Sequence, residues 1–423
     1  MTSRERVRSA LNHRQPDRVP VDFGSTMVTG ISVSLISQLR RELGLDVPGD
    51  RVKVIEPYQM LGEIKDDLRE KMFIDCIGLF GLKNMFGFEN RNWKPWTLFD
   101  RTEVLVPDLF NRDPDVNGNI PMFAGGDRSY PPCAIMPKGG FYFDSMDRQK
   151  PIDEHFLNVE DNLEEFGLYS EEELKHLEKQ SEWLFTNTEY ALVYSMGGTS
   201  FGDIAFVPGP SLKDPKGIRG VEEWYISTVS RRDYVYEVFE RECEIGLMNL
   251  ISVKEAVGDR IDVIFITGTD FGTQRGPFIS PDAYRDLFKP CHRKICDWIH
   301  KNTSWKVFIH TCGGIRPLIE DIIDAGFDVL NPVQCSAEGM DPRRLKDDFG
   351  NRVTFWGGGV DTQKTLPFGT PEEVYNEVSE RIRIFNKGGG YVFNTIHNIQ
   401  AGCPVKNIMA MIDAIRDSFQ EAG

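Results

Sequence analysis

No stretch of this chain is apolar for long. Its longest hydrophobic runs, such as residues 263–266, are far short of the roughly 20 residues that cross a bilayer. The opening Met1-Thr-Ser-Arg-Glu-Arg-Val-Arg alternates charge where a signal peptide would have an apolar core. Both features predict a cytoplasmic protein with no membrane partner. Basic charge is also short: 49 Lys and Arg against 65 Asp and Glu leave a formal net charge of −16. Such a surface repels phosphate backbones and anionic lipid, which argues against nucleic-acid binding. The eight cysteines, at 76, 133, 243, 291, 296, 312, 335 and 403, are scattered. They do not form the dense framework of a small secreted domain. Cys76, Cys243, Cys291 and Cys296 fall in segments that read as buried strand or helix, and are expected to be unpaired and free of metal. The glycines at 357–359 are not followed by Gly-Lys-Ser/Thr, so they do not read as a phosphate loop.

With 423 residues, the chain has room for one large α/β barrel with extensions or for two ordinary domains. The C-terminal half decides between them. Residues 261–267 (IDVIFIT), 305–310 (WKVFIH), 327–331, 352–356 and 391–396 are short, β-branched or aromatic runs. Helical sequence separates them: 281–300, 315–324, 341–348, a helix opened by Thr370-Pro-Glu-Glu, and 404–419. Ser280 before Pro281, and Thr370 before Pro371, are N-cap and first-turn signals. Strands apolar on both faces that alternate with helices predict a parallel sheet. A doubly wound sheet and a closed (β/α)8 barrel share that signature. Polar residues at successive strand ends (Thr269-Asp270, His310-Thr-Cys312, Gln334, Asp361, His397) favour the barrel, whose active sites gather such residues. The N-terminal half supplies strands near 19–23, 76–80 and 191–196, and helices near 32–43, 170–185 and 231–257. Residues 84–147 are rich in aromatics, Gly, Pro and Asp, which predicts short antiparallel strands and loops over a site. The expectation is one α/β domain over 1–423, a (β/α)8 barrel with an N-terminal extension and an irregular insertion near 84–175.

The sharpest chemical signal is His310-Thr311-Cys312 at a strand end. In extended chain, residues i and i+2 face the same way, so imidazole and thiolate can converge on one ion. Zinc takes such N and S ligands tetrahedrally, and catalytic sites leave one position open. Two such residues alone are more often packing neighbours than ligands. A third candidate, Cys403, lies in the loop Gln400-Ala-Gly-Cys-Pro after the last strand, and a barrel brings that loop back beside His310. Asp270 and Gln274 are candidates for substrate orientation or proton handling, although a strand-end Asp also caps loops. Asp361 reads either as support for His310 or as a cap on the 362–366 turn. His397 reads as a catalytic residue or as a hydrogen-bonded core histidine.

Four segments carry a resemblance: Asp270-Phe-Gly-Thr-Gln274-Arg-Gly-Pro-Phe-Ile-Ser280-Pro281, His310-Thr-Cys-Gly313, Gly358-Gly-Val-Asp361-Thr-Gln363, and Gly389-Gly-Tyr-Val-Phe-Asn394-Thr-Ile-His397-Asn-Ile-Gln400. With Arg4-Glu-Arg-Val-Arg and Arg18-Val-Pro-Val-Asp22, the chain resembles the uroporphyrinogen-decarboxylase-like superfamily, which implies the (β/α)8 barrel. The decarboxylase branch holds tetrapyrrole carboxylates with an N-terminal arginine cluster that is missing around Arg18. The methyltransferase branch carries His-x-Cys and a distant Cys as zinc ligands. Those positions correspond to His310, Cys312 and Cys403, with Gln334, Cys335, water or substrate as the fourth ligand. The resemblance therefore implies a zinc-dependent methyltransferase. It would act between a small methyl donor or thiol acceptor and a corrinoid (cobalamin) cofactor. No Asp-x-His-x-x-Gly pattern of cobalamin-binding domains is present, so the corrinoid is expected on a partner protein. The rival expectations are a metal-free decarboxylase of a tetrapyrrole-like acid and a non-catalytic partner of a corrinoid protein with structural zinc.

Overall fold

Seven parallel strands form the centre of the molecule: β1 (Cys76–Leu79), β2 (Ala191–Ser195), β3 (Val263–Thr267), β4 (Lys306–His310), β5 (Val329–Asn331), β6 (Thr354–Trp356) and β7 (Tyr391–Val392). Each of β2 to β7 pairs with its predecessor, in the order β7-β6-β5-β4-β3-β2-β1. The structure is a computed structural model that describes residues 1–195 and 202–420. The expected strand at 191–196 is present over its described part, and Met196 lies outside the described residues.

Residues 19–23 close the ring. Asp22 N–H donates to Phe393 O at 2.9 Å and Phe393 N–H to Pro20 O at 2.8 Å on one side; Asp75 N–H donates to Val21 O at 2.7 Å on the other. The segment is an eighth stave reduced to one bridge, Val21 with Phe393, because Pro20 has no N–H to extend the ladder. Each stave is followed by a helix, from Val33–Glu42 after the first to Val405–Asp417 after the last. The chain is a (β/α)8 barrel.

Closure is locked by Asp75, whose buried carboxylate accepts from Arg6 at 2.8 Å, from Arg18 at 2.8 Å, from Ser3 at 2.7 Å and from Val21 N–H at 3.0 Å. Removing one member of such a buried network leaves uncompensated charge and costs about 3–5 kcal/mol. Ser3 and Arg6 lie on the first helix, Ser3–Leu11, so the N-terminal extension is tied to the barrel floor by ion pairing.

The helix signals hold with one difference. Ser280 accepts from Ala283 N–H at 3.1 Å, and Thr370 forms a reciprocal cap with Glu373. The element expected to run from 281 to 300 is instead broken: Pro281–Ala283, a wide π turn at Tyr284–Phe288, then Lys289–Asn302. Pro290 lacks an N–H and its ring collides with the carbonyl four residues earlier, so the backbone widens there.

The aromatic insertion does contain antiparallel pairs, Lys94–Thr97 with Glu103–Val106, and Ile120–Met122 with Ala134–Met136 and Asp144–Ser145. The strand Val52–Glu56 joins the first pair in parallel. Phe86, Phe110 and Phe143 are buried against one another, with ring centroids 5.6 and 5.7 Å apart. They join the main hydrophobic core of the molecule. All eight cysteines are free. Among the described residues, no helix is long and apolar enough to cross a membrane.

Candidate metal centre and active site

The barrel delivers side chains to its C-terminal mouth, and three of them meet. One ligand atom each of His310, Cys312 and His397 lie within 4.8 Å of one another. His310 Nε2 is 3.3 Å from Cys312 Sγ, and the rings of His310 and His397 meet edge to face at 5.2 Å. Tetrahedral zinc, with bonds of about 2.0–2.3 Å, places neighbouring N and S ligands about 3.5 Å apart, so this donor set fits the ion. His310 ends β4 and Cys312 follows two residues on, as the strand period requires. His397 reaches the centre from the loop after β7 with a φ of 75°, a left-handed backbone that non-glycine residues rarely take. Cys403 is not in this group; its thiol is buried in the next turn, where burial pushes its pKa up to about 11.

The orientation of His310 is set from behind. Asn331, its direct cross-strand partner on β5, donates through Nδ2 to Trp356 O at 2.7 Å. Its Oδ1 is thereby turned toward His310 Nδ1 at 2.5 Å. An amide oxygen accepts, so His310 carries its proton on Nδ1 and points the Nε2 lone pair at Cys312. A hydrogen-bonded second nitrogen is the usual support of a metal-binding histidine. We expect Asn331→Leu to weaken zinc affinity about 10–100-fold. Competition against a chromophoric chelator measures this, and wild-type affinity in the variant would refute the role. Asn331 stands in the sequence as an ordinary strand residue, and no local pattern marks it.

Burial lowers the pKa of His310, and burial together with His310 lowers that of His397 to about 3. Burial and the nearby Asp270 hold the Cys312 thiol well above its ordinary value. At neutral pH the three groups are thus two neutral imidazoles and a protonated thiol, and a metal ion bound there would release one proton.

The other expected residues divide. Asp270 accepts from Cys312 N–H at 2.8 Å and lies 3.9 Å from His310 Nε2, so it both ties the loop and borders the centre. Gln274 is exposed on a small hairpin and donates to Gln363 Oε1 at 2.9 Å, at the rim and apart from the three clustered residues. Gln334 accepts from Gly313 N–H at 2.8 Å, and Cys335 lies near Gly358 O; neither joins the cluster. Asp361 caps its own turn, accepting from Gln363 N–H at 2.6 Å and Lys364 N–H at 3.2 Å, while Asn331 takes the supporting place beside His310. Gly313, at φ 91°, is required: a Cβ there would sit 2.3 Å from the Gly272 carbonyl carbon, displacing the Asp270 loop from the centre.

One residue was not foreseen. Asp203, beyond β2, is buried and accepts from Gly268 N–H and Ala205 N–H, both at 3.0 Å. Burial and the neighbouring Asp270 raise its pKa to about 7, suited to holding or releasing a proton at neutral pH. Its loop has no motif that would have flagged it.

Residues 259–418, which carry β3 to β7 and all three clustered residues, match the family model described as uroporphyrinogen decarboxylase (URO-D). That part of the chain, its C-terminal 160 residues or so, is what resembles the URO-D family. Over 140 residues it is 27% identical to a methylated-thiol–coenzyme M methyltransferase of Methanosarcina mazei, covering 33% of this chain and 34% of that protein. Over 149 residues it is 28% identical to a uroporphyrinogen decarboxylase of Psychromonas ingrahamii, covering 34% and 39%. The matches thus span little more than a third of these curated relatives. A solved methyltransferase structure from Methanosarcina mazei superposes with a TM-score of 0.54 at 16% identity, covering 99% of both chains. At that identity the likeness concerns the fold, and it extends along the whole chain.

Proposed function

We propose that this chain is a zinc-dependent methyltransferase that moves a methyl group between a small methyl donor or thiol acceptor and a corrinoid carried by a partner protein. The observation that carries the reading is the His310 Nε2–Cys312 Sγ pair, 3.3 Å apart, with His397 alongside and Asn331 fixing the tautomer. His310, Cys312 and His397 would hold the ion, and three protein ligands leave a fourth position open. When bound there, zinc supplies Lewis acidity, lowering the pKa of a thiol or polarising the leaving atom of a methyl donor. The chain's own residues do the rest. Asn331 keeps the Nδ1 proton in place, Asp270 holds the Cys312 backbone beside the centre, and Asp203 can take or return a proton near neutral pH.

The likeness to the Methanosarcina mazei methyltransferase supports this reading. Decarboxylation of a tetrapyrrole acid fits less well, because Arg18 is committed to Asp75 and provides no anion cradle at the mouth. The test is metal analysis of the purified protein, combined with methyl transfer to cob(I)alamin and from methylcobalamin. One zinc per chain and zinc-dependent transfer are expected. Metal-free protein that decarboxylates uroporphyrinogen would replace the reading. Zinc with all four positions filled by protein, and no transfer, would leave a non-catalytic partner of a corrinoid protein.

A further inference from the structure

A cavity of ≈ 470 Å³ opens at the same mouth, within the roughly 300–1,000 Å³ of small-molecule sites. One of its walls is tied to the loop that carries His397. Thr26, Met27 and Gly30 line it. The Asn398 side chain, next to His397, accepts from Gly30 N–H at 2.5 Å and donates to Met27 O at 2.9 Å and Gln59 Oε1 at 2.7 Å.

The charge around this cavity is one-sided. Glu56, Glu164, Glu165 and Glu173 line it against a single cation, Lys83. Glu164 and Glu165 share Arg219, at 3.6 and 2.6 Å, and Glu173 stands 4.0 Å from Lys83. Glu56 has no such neighbour. It ends the strand Val52–Glu56, is only 7% exposed, and its oxygens accept from the N–H groups of Tyr58 at 3.1 Å and Gln59 at 2.7 Å. Among the described residues no Lys, Arg or His pairs with it, and the stretch 196–201 (MGGTSF) contains none. Two further lining atoms, Glu165 Oε2 and Ser195 Oγ, are buried with no hydrogen-bond partner among the described residues. Burial without a counter-charge raises the Glu56 pKa to about 7, so the group is part protonated at neutral pH, and a cationic ligand in the cavity favours its charged form. Phe80, Phe166, Tyr169 and Phe206 supply aromatic surface to the same space. Aromatic faces with a carboxylate suit a diffuse cation that has no N–H groups to donate.

We propose that this cavity binds a small methylated cation, a quaternary ammonium or sulfonium compound, through the Glu56 carboxylate and the aromatic faces around it. The choice of a methylated cation rests on the methyltransferase reading; the preference for positive charge rests on the cavity alone. Binding is measured calorimetrically on the full chain as purified, with no methyl acceptor present. The probes are choline and its neutral isostere, 3,3-dimethylbutan-1-ol, followed by tetramethylammonium and trimethylsulfonium to separate the two kinds of cation. Choline should bind at least about tenfold more tightly than the neutral alcohol, which is about 1.4 kcal/mol. Glu56→Gln, with an unchanged circular dichroism spectrum, should abolish that preference. Phe166→Leu should weaken choline severalfold and keeps the test open if Glu56→Gln does not fold. Equal binding of choline and the alcohol, wild-type choline affinity in Glu56→Gln, or no cation binding at millimolar concentration would overturn the proposal. A chain that binds choline but transfers no methyl group would count against the activity alone. One that transfers methyl from neutral donors while ignoring all three cations would count against this site alone.

Discussion

Cys312→Ser should purify without stoichiometric zinc and should transfer methyl groups about 10³-fold more slowly than the parent chain. The thiolate is the only soft anionic ligand in the set His310, Cys312 and His397, and a neutral hydroxyl neither matches its affinity nor balances the ion's charge. A bound Lewis acid is worth several kcal/mol at the reacting centre; at about 1.4 kcal/mol per tenfold, its loss accounts for the expected decrease. Serine nearly preserves the side-chain volume, and the Cys312 N–H bond to Asp270 at 2.8 Å is a backbone contact that the substitution leaves alone. The melting temperature should therefore change little once the parent is compared in its zinc-free form. Metal content by mass spectrometry and single-turnover rates are the measurements. A variant with full zinc, or one that keeps the parent rate without metal, would remove Cys312 from the site.

The second large effect separates His397 from Cys403. His397→Ala should lose the metal, whereas Cys403→Ser should keep it and retain most of the activity. His397 holds a φ of 75°, a strained backbone state that costs on the order of 1 kcal/mol for a non-glycine residue. The neighbouring bonds maintain it: Thr395 Oγ donates to His397 O, Ile396 N–H donates to Val360 O at 3.1 Å, and Asn398 is tied to the 27–30 loop. Strain of this kind, sustained by surrounding structure and aimed at a ligand cluster, is expected where a side chain is held for function. Cys403 sits on a turn with a buried thiol and lies outside the group formed by His310, Cys312 and His397. Zinc titration of the two variants decides. If Cys403→Ser loses the ion and His397→Ala keeps it, the 400–404 turn closes on the metal and the ligand set is the one expected from the sequence.

Legibility in the sequence followed the range of the interaction. The alternation of apolar runs with capped helices is local, and it determined the parallel sheet, while the polar strand ends pointed to the barrel; β3 to β7 lie where those runs fall. The His-x-Cys pair is also local, because the strand period alone turns residues 310 and 312 the same way. The break at Tyr284–Phe288 was written in Pro290 but was masked by the otherwise helical pattern around it.

The rest depended on contacts between elements. Parallel register sets His310 opposite Asn331, and nothing along the chain relates two residues 21 positions apart. Asp203 and Asp270 influence each other only because neighbouring staves bring their following loops together. Cys403 and His397 follow the same strand within a few residues of each other, so the sequence offered both to one site. That His397, and not Cys403, lies beside His310 and Cys312 follows from the path of the turn, bent at His397 and anchored by Asn398 to the loop on the far side of the barrel closure. A sequence by itself determines which chemical groups arrive at the mouth of a barrel, because strand ends and periods are local. Which of those groups touch is decided by register and loop anchoring, and both are fixed only when the last stave closes against the first.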